Sequence, residues 1–93
     1  MDRRAHIVVS GRVQGVGYRS FVEWLASRLE LTGFVRNKMS GEVELVTEGD
    51  EEKIKKLVED LKKGPALARV DRVDVDWQAH AAEFDSFFIR HTV

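Results

Sequence analysis

An arginine ends a glycine-spaced run that could carry chemistry, Gly11-Arg12-Val13-Gln14-Gly15-Val16-Gly17-Tyr18-Arg19. A strand-like apolar stretch precedes this run, and a helical pattern of apolar residues follows it. A loop between a strand and a helix start can bind an anion, because its backbone N–H groups converge where the helix has unpaired donors. Gly15 and Gly17 permit backbone angles that other residues avoid, and the guanidinium group of Arg19 matches a phosphoryl or carboxylate group. The pattern therefore predicts a phosphate cradle.

Two details of the run bear on this prediction. Ser20 and Glu23 have the Ser-x-x-Glu spacing of a capping box, which predicts a helix that starts just after Arg19. A dinucleotide-binding loop would have a third glycine where this chain has Ser20, and a Walker loop would need Gly-Lys-Ser/Thr. Both nucleotide motifs are therefore disfavoured. A plain turn followed by a solvated arginine stays open as the alternative to a phosphate site.

The composition is typical of one globular domain, which we expect to span residues 1–93. No apolar stretch approaches the length of a membrane span, and the net charge of −1 gives no reason to expect nucleic acid or a membrane surface as partner. The chain has no cysteine, which excludes disulfides and thiolate chemistry, and its three histidines lack the spacing of metal ligands. We expect a cytoplasmic monomer that binds no nucleic acid, no membrane and no metal.

Hydrophobic periodicity predicts five strands and two helices. The predicted strands cover residues 5–12, 34–38, 42–48, 72–77 and 84–93. The first helix is predicted at 20–31 with Gly33 as its C-terminal stop, and the second between an Asp50 cap and a Gly64-Pro65 stop. Trp24 and Trp77 are interpreted as residues of the core or its margin.

This order of elements, β-α-β-β-α-β with one more C-terminal strand, predicts an α+β fold. We expect a ferredoxin-like split β-α-β sandwich, in which an antiparallel sheet carries both helices on one face. Strands one and two then run parallel on either side of strand three, so their C-terminal ends share one edge of the sheet. The loop that ends at Arg19 leaves strand one at this edge, and Asn37 lies near the end of strand two. The two positions become candidates for one pocket.

At these residues the chain resembles the acylphosphatase family. That family's first signature, Gly-x-Val-Gln-Gly-Val-x-Phe-Arg, matches residues 11–19, with Tyr18 in the phenylalanine place. Its second signature, Gly-x-Val-x-Asn-x-x-x-Gly-x-Val, matches residues 33–43 and includes Asn37. Weaker similarity continues towards residue 90, so the resemblance covers almost the whole chain.

The resemblance implies an enzyme that hydrolyses acyl phosphates to a carboxylate and inorganic phosphate, with no metal or organic cofactor. It implies that the phosphoryl oxygens are held by backbone N–H groups of Gly15, Val16, Gly17, Tyr18 and Arg19. It also implies that the Arg19 side chain is the charged ligand and that Asn37 orients the attacking water. The substrate would be a small molecule.

The same fold or cradle also occurs in proteins with other functions. A non-catalytic phosphate-sensing module would use the same cradle, whereas an RNA-binding domain would need exposed aromatic residues on its central strands. Hydrogenase-maturation proteins carry a similar domain within much longer chains, so a chain of 93 residues favours a free-standing hydrolase. We expect Gln14 to hydrogen-bond the loop into shape. Arg12, Arg19, Arg36 and Lys38 could gather at the same edge.

Overall fold

The computed structural model describes residues 1–92 and has seven secondary-structure elements. In chain order they are β1 (Asp2–Arg12), α1 (Tyr18–Arg28), β2 (Thr32–Asn37), β3 (Val43–Asp50), α2 (Glu51–Lys63), β4 (Arg69–Gln78) and β5 (Phe87–Ile89). The predicted last strand, 84–93, is shortened to three residues within the described chain, and its final residue, Val93, lies outside the described residues.

The strands form one sheet in the order β4-β1-β3-β2-β5. Strand β3 pairs antiparallel with both β1 and β2, so β1 and β2 run parallel to each other on either side of β3, as the sequence predicts. The ferredoxin-like α+β fold is thus confirmed. One detail differs from the expected antiparallel sheet, because β5 pairs parallel with β2 and makes the sheet mixed.

One face of the sheet carries the core. Alternate residues of β1, Ala5, Ile7 and Val9, are completely buried and share a hydrophobic cluster with residues of both helices. The helix residues of this cluster with no exposed surface are Val22, Ala26, Ile54, Leu57 and Leu61. Since side chains alternate across a strand, the opposite face of β1 stays partly exposed. Both helices therefore lie against the same face of the sheet.

Helix α2 begins and ends as predicted. The side chain of its N-cap residue Asp50 accepts a hydrogen bond from the backbone N–H of Lys53 at 3.4 Å, and Gly64 is the C-cap. Such an N-cap stabilises a helix by about 1 kcal/mol. All the signals for this helix are local in sequence, which is why the pattern alone predicts its bounds.

Helix α1 begins earlier than the capping-box spacing predicts. It starts at Tyr18, and its N-cap is Gly17, which makes no side-chain capping bond. Ser20 lies inside the first turn, so the capping box that was predicted with Glu23 is wrong. The early start places Arg19 within the helix itself.

The end of α1 is also shorter than predicted. The helix stops at Arg28, and Glu30 takes a left-handed backbone angle with φ of 59°. Leu31 N–H donates to Ala26 O at 2.9 Å and Glu30 N–H donates to Ser27 O at 3.1 Å, the two bonds of a Schellman motif. Gly33 is therefore not the helix stop. It lies in β2, where an added Cβ would clash with the Val46 carbonyl group.

Four strands, β1 to β4, are longer than the pattern predicts. Strand β1 starts at Asp2, which pairs with Asp50 at the end of β3, and β4 starts at Arg69. The longer strands pair more backbone N–H and C=O groups with one another, and a pattern of side chains does not reveal this pairing.

Trp24 is 58% exposed, so its assignment to the core is wrong, and the guanidinium carbon of Arg28 lies 4.7 Å from its ring centroid. Trp77 is half-buried and packs against the core.

A buried carboxylate holds the connection between β4 and β5. The side chain of Glu48 is 1% exposed and accepts hydrogen bonds from the backbone N–H groups of Ala81 at 2.9 Å and Glu83 at 3.0 Å. Arg4 Nη1 lies 3.2 Å from the same carboxylate. Burial by itself would raise the pKa of Glu48, but these bonds outweigh it and hold the pKa below its ordinary value. The ionised form of Glu48 therefore stabilises the fold.

Candidate active site

The glycine-spaced loop between β1 and α1 lines a small cavity. Gly15 and Gly17 have left-handed φ angles of 73° and 78°, and no other group lies close to where a Cβ would point. The cavity has a volume of about 120 Å³. Its lining residues are Val13, Gly15, Gly17, Tyr18, Arg19, Ser20 and Asn37. A space this small suits a phosphoryl group better than a drug-sized ligand, whose pockets measure roughly 300–1,000 Å³.

The N-terminus of α1 opens into this cavity. The first bond of the helix runs from Phe21 N–H to Gly17 O at 3.1 Å, so the amides of the three preceding residues have no partner within the helix. The first turn contains no acidic residue. Unpaired donors and the positive end of the helix dipole therefore act on the same volume, and both favour an anion.

Arg19 adds a full positive charge to these dipoles. Arg19 is half-buried, and its guanidinium group forms no ion pair with any of residues 1–92. Arg36, which was expected to contribute at the same edge, instead donates from Nε to Glu44 Oε1 at 2.6 Å. The charge of Arg36 is thus neutralised locally, whereas that of Arg19 is available to a ligand.

Asn37 reaches the same cavity from the last position of β2. Its side-chain oxygen Oδ1 is buried and has no hydrogen-bond partner among the described residues. An unpaired buried acceptor costs about 1–3 kcal/mol, so such an atom in a cavity points to a donor that arrives with the ligand. The sheet topology brings Asn37 and Arg19 together across 18 positions of sequence.

Tyr18 contributes its backbone to the cavity, while its side chain belongs to the core. The ring is 1% exposed, and its hydroxyl group donates to the carbonyl oxygen of Leu61 at 2.8 Å. Burial raises the pKa of this hydroxyl well above its ordinary value, so it stays neutral. Val16 packs partly buried against the core and is not among the lining residues, unlike the other four positions of the predicted loop.

Two lining residues were not predicted as site residues. Val13 is 1% exposed and forms the apolar base of the loop, and Ser20 was interpreted only as a helix cap. Ser20 lies one helical position after Arg19, and its capping-box spacing pointed away from a lining role, so the sequence offered no signal for it. Gln14 is not a lining residue, and its amide bonds the loop to the segment after Asn37, as expected.

No carboxylate or histidine lines the cavity within the part of the chain that the structure describes. The same residues, 1–92, contain no cluster of three or more acidic, histidine or cysteine side chains that could hold a metal ion. No helix among them is long and apolar enough to cross a bilayer. The side chains available for chemistry in the cavity are therefore Arg19, Asn37 and Ser20.

A larger groove of about 340 Å³ lies between α2 and β4. Its walls are formed by Lys55, Val58, Glu59, Val75 and Trp77. These walls combine apolar side chains with one charge of each sign, and they include no glycine loop and no helix N-terminus. Size alone would select this groove, but the unpaired helix donors and the guanidinium group of Arg19 lie at the smaller cavity.

The fold and cavity together describe an α+β sandwich protein with a candidate anion site at a helix N-terminus. Comparison with known proteins identifies the family. The Acylphosphatase family model matches residues 5–89. An acylphosphatase of Pelotomaculum thermopropionicum is 49% identical over 86 residues, covering 92% of this chain and 94% of that protein.

Solved structures agree with this match. The crystal structure of acylphosphatase from Bacillus subtilis superposes with a TM-score of 0.92 at 36% identity, covering 97% of this chain and 99% of that one. Full-length HypF, solved in a phosphate- and nucleotide-bound form, aligns over 99% of this chain and 12% of its own, with a TM-score of 0.89 and 31% identity. The chain belongs to the acylphosphatase family, and it is an enzyme of that type.

Proposed function

We propose that the cavity between the β1–α1 loop and the end of β2 hydrolyses the carboxyl-phosphate bond of a small acyl phosphate. Backbone N–H groups of residues 15–19 and the guanidinium group of Arg19 bind the phosphoryl oxygens. Asn37 holds the attacking water in line with the bond that breaks. The products are a carboxylate and inorganic phosphate.

The unpaired Oδ1 of Asn37 is the observation that carries this proposal. Amide and guanidinium donors suit phosphoryl oxygens, which only accept hydrogen bonds when they are ionised. A carbonyl-type acceptor in the same cavity is unsuited to those oxygens, but it is suited to an O–H group of water. The fully ionised phosphoryl group of an acyl phosphate has no O–H group to donate to this acceptor, so we assign the acceptor to water. The anion and the nucleophilic water are therefore proposed to contact different groups of the cavity.

The chemistry needs no more than these groups. Water attacks phosphorus, the bond from phosphorus to the acyl oxygen breaks, and the carboxylate departs with that electron pair. A carboxylate is a good leaving group, so no protein acid is required. Residues 1–92 contribute no histidine or carboxylate to the lining, so we assign the proton of the attacking water to a phosphoryl oxygen. Catalysis then consists of positioning and charge neutralisation, as in other phosphoryl transfers.

We propose that the reaction requires no metal ion and no organic cofactor. Arg19 and the helix N-terminus supply the positive charge that a metal ion would otherwise provide. The test is turnover of a synthetic aromatic acyl phosphate by the purified protein, with and without a chelator. We expect equal rates. Loss of activity with the chelator would contradict the metal-free reaction, and phosphate binding without any turnover would favour a sensing module.

We propose that the enzyme works as a cytoplasmic monomer on a small-molecule substrate, with no nucleic-acid or membrane partner. The small volume of the cavity supports a small-molecule substrate, and the net charge of −1 gives no reason to expect a nucleic-acid or membrane partner. Sedimentation at several protein concentrations tests the monomer, and a mass that rises with concentration would contradict it.

A further inference from the structure

The side chain of Gln14 links the two halves of the candidate active site. Its amide nitrogen Nε2 donates to the carbonyl oxygen of Lys38 at 2.8 Å and to the carbonyl oxygen of Glu42, also at 2.8 Å. An amide nitrogen carries two hydrogens, so both donors of Gln14 are used. These bonds span 24 and 28 positions of sequence. They join the β1–α1 loop to the turn between β2 and β3.

Both ends of this link adjoin proposed functional residues. Gln14 directly precedes Gly15, the first residue of the cradle, and Lys38 directly follows Asn37. Gln14 itself does not line the cavity. The link thus joins the backbone that holds the phosphoryl group to the backbone that carries the water-binding side chain.

The turn that Gln14 contacts is closed by bonds of its own. Lys38 N–H donates to Glu42 O at 2.8 Å, and Gly41 N–H donates to Lys38 O at 3.0 Å. Loss of the Gln14 amide would leave the turn intact but would release its position relative to the loop. The two bonds of Gln14 therefore set a distance and are not needed to form either segment.

We infer that Gln14 is a positioning residue that fixes the distance between the phosphate cradle and Asn37. The inference rests on the proposed roles of those two parts. The attacking water must lie on the line through phosphorus and the leaving oxygen, and a displacement of about 1 Å can cost roughly 10²-fold in rate. Gln14 acts on the rate through Asn37 without touching the substrate.

The test compares Gln14→Met, Gln14→Glu and a control. Methionine keeps an unbranched chain of similar length without donors, whereas glutamate keeps the shape and turns oxygen atoms towards two carbonyl oxygens. Ser40→Ala is the matched control, because Ser40 Oγ bonds only within the turn: it donates to Glu42 Oε1 at 2.9 Å and accepts from Glu42 N–H at 3.5 Å. For each variant, kcat, KM and competitive inhibition by inorganic phosphate are measured, and folding is checked by circular dichroism.

We expect Gln14→Met to lower kcat by about 10- to 100-fold, with phosphate inhibition changed by less than about threefold. Gln14→Glu should be at least as impaired, and Ser40→Ala should match the wild type. In an Asn37→Ala background, Gln14→Met should cause no further loss of kcat, because the residue through which it acts is gone. Unchanged kcat in Gln14→Met, or an equal further loss in the double variant, would overturn the inference.

A second readout does not depend on activity. The side-chain amide of Asn37 gives a pair of NMR signals, and these should move or broaden in Gln14→Met and stay in place in Ser40→Ala. Unmoved Asn37 signals in Gln14→Met would overturn the inference even if kcat fell. A folded Asn37→Ala enzyme with wild-type kcat would instead contradict the proposed function, so the two failures can be told apart.

Discussion

Replacing Asn37 by alanine should separate catalysis from stability. The Oδ1 atom of Asn37 is buried in the cavity and lacks a hydrogen-bond partner among the described residues. The buried hydroxyl oxygen of Thr47 also lacks one. If Oδ1 of Asn37 binds the attacking water, its lack of a partner lowers the stability of the free enzyme. If Oδ1 serves only to stabilise the fold, its removal should lower the free energy of unfolding and leave kcat almost unchanged.

The expected sizes follow from these contacts. Loss of one preorganised hydrogen bond to a reacting group costs about 10²–10³ in kcat, or about 2.7–4 kcal/mol in the barrier. Removing an unpaired buried acceptor relieves about 1–3 kcal/mol, and the lost packing of the truncated side chain offsets this by a similar amount. We therefore expect Asn37→Ala to lower kcat strongly while the free energy of unfolding changes by less than about 1 kcal/mol.

Thr47→Val provides the matched control. It removes the other unpaired buried oxygen with little change in shape, at a residue with no exposed surface that is not part of the cavity lining. Its kcat should equal that of the wild type, and its free energy of unfolding should rise by about 1 kcal/mol. Urea unfolding and turnover of an aromatic acyl phosphate are measured for both variants.

Competitive inhibition by inorganic phosphate completes the assay. Asn37 is proposed to contact water and not the phosphoryl group, so phosphate inhibition should survive in Asn37→Ala. A kcat within about threefold of the wild type would refute the water-positioning role, since it leaves less than about 1 kcal/mol for the lost contact. Loss of phosphate inhibition as severe as in Arg19→Ala would make Asn37 a phosphate ligand instead.

Three further predictions concern the charge, the backbone and the buried acid. Arg19→Lys should lose phosphate inhibition and kcat together, because an ammonium group keeps the charge without the two-pronged geometry of guanidinium; recovery of wild-type rates would show that charge alone suffices. Gly15→Ala should weaken phosphate inhibition at a cost in stability of about 1–2 kcal/mol from its left-handed angle, since its Cβ meets open space, whereas Gly33→Ala, whose Cβ would strike the Val46 carbonyl, should be destabilised by more. Equal urea midpoints for these two glycine variants would contradict that reasoning. Glu48→Gln should destabilise the protein at pH 7 by about 1–3 kcal/mol, because an amide group then faces two backbone N–H donors. The folded-state pKa of Glu48 lies below its unfolded value, so its carboxylate stabilises the fold above the unfolded pKa and ceases to do so as the pH falls through the folded value. The gap between the variant and the wild type should therefore narrow in acid, and a gap that does not depend on pH would refute this role.

Some features of the protein are encoded within a few neighbouring residues, and these were predictable. The second helix was bounded correctly because Asp50 and Gly64 act on backbone groups within four positions. The pairing of the cradle with Asn37 was predictable for a different reason. Right-handed β-α-β connections leave few topologies for this order of elements, and the connection places both strand ends at one edge.

Other features were decided by contacts between distant parts of the chain. A capping box at Ser20 and Glu23 was locally plausible, but the helix starts at Tyr18, whose buried ring and bond to the Leu61 carbonyl anchor that turn in the core. Trp24 shows the converse, since an apolar side chain at the margin of a helical stripe lies outside once that stripe is oriented by packing.

The sequence by itself determined the fold class, the family and the residue types that gather at the cavity. Only the tertiary structure decided that Asn37 keeps a buried acceptor without a partner and that Gln14 bonds two distant carbonyl groups. The physical reason is that every residue carries the same carbonyl group, so no side-chain pattern marks which carbonyl will be bonded. Helix caps and strand periodicity are local, and a sequence displays them directly. Hydrogen bonds across 24 or 28 positions exist only after the sheet has brought the two segments together.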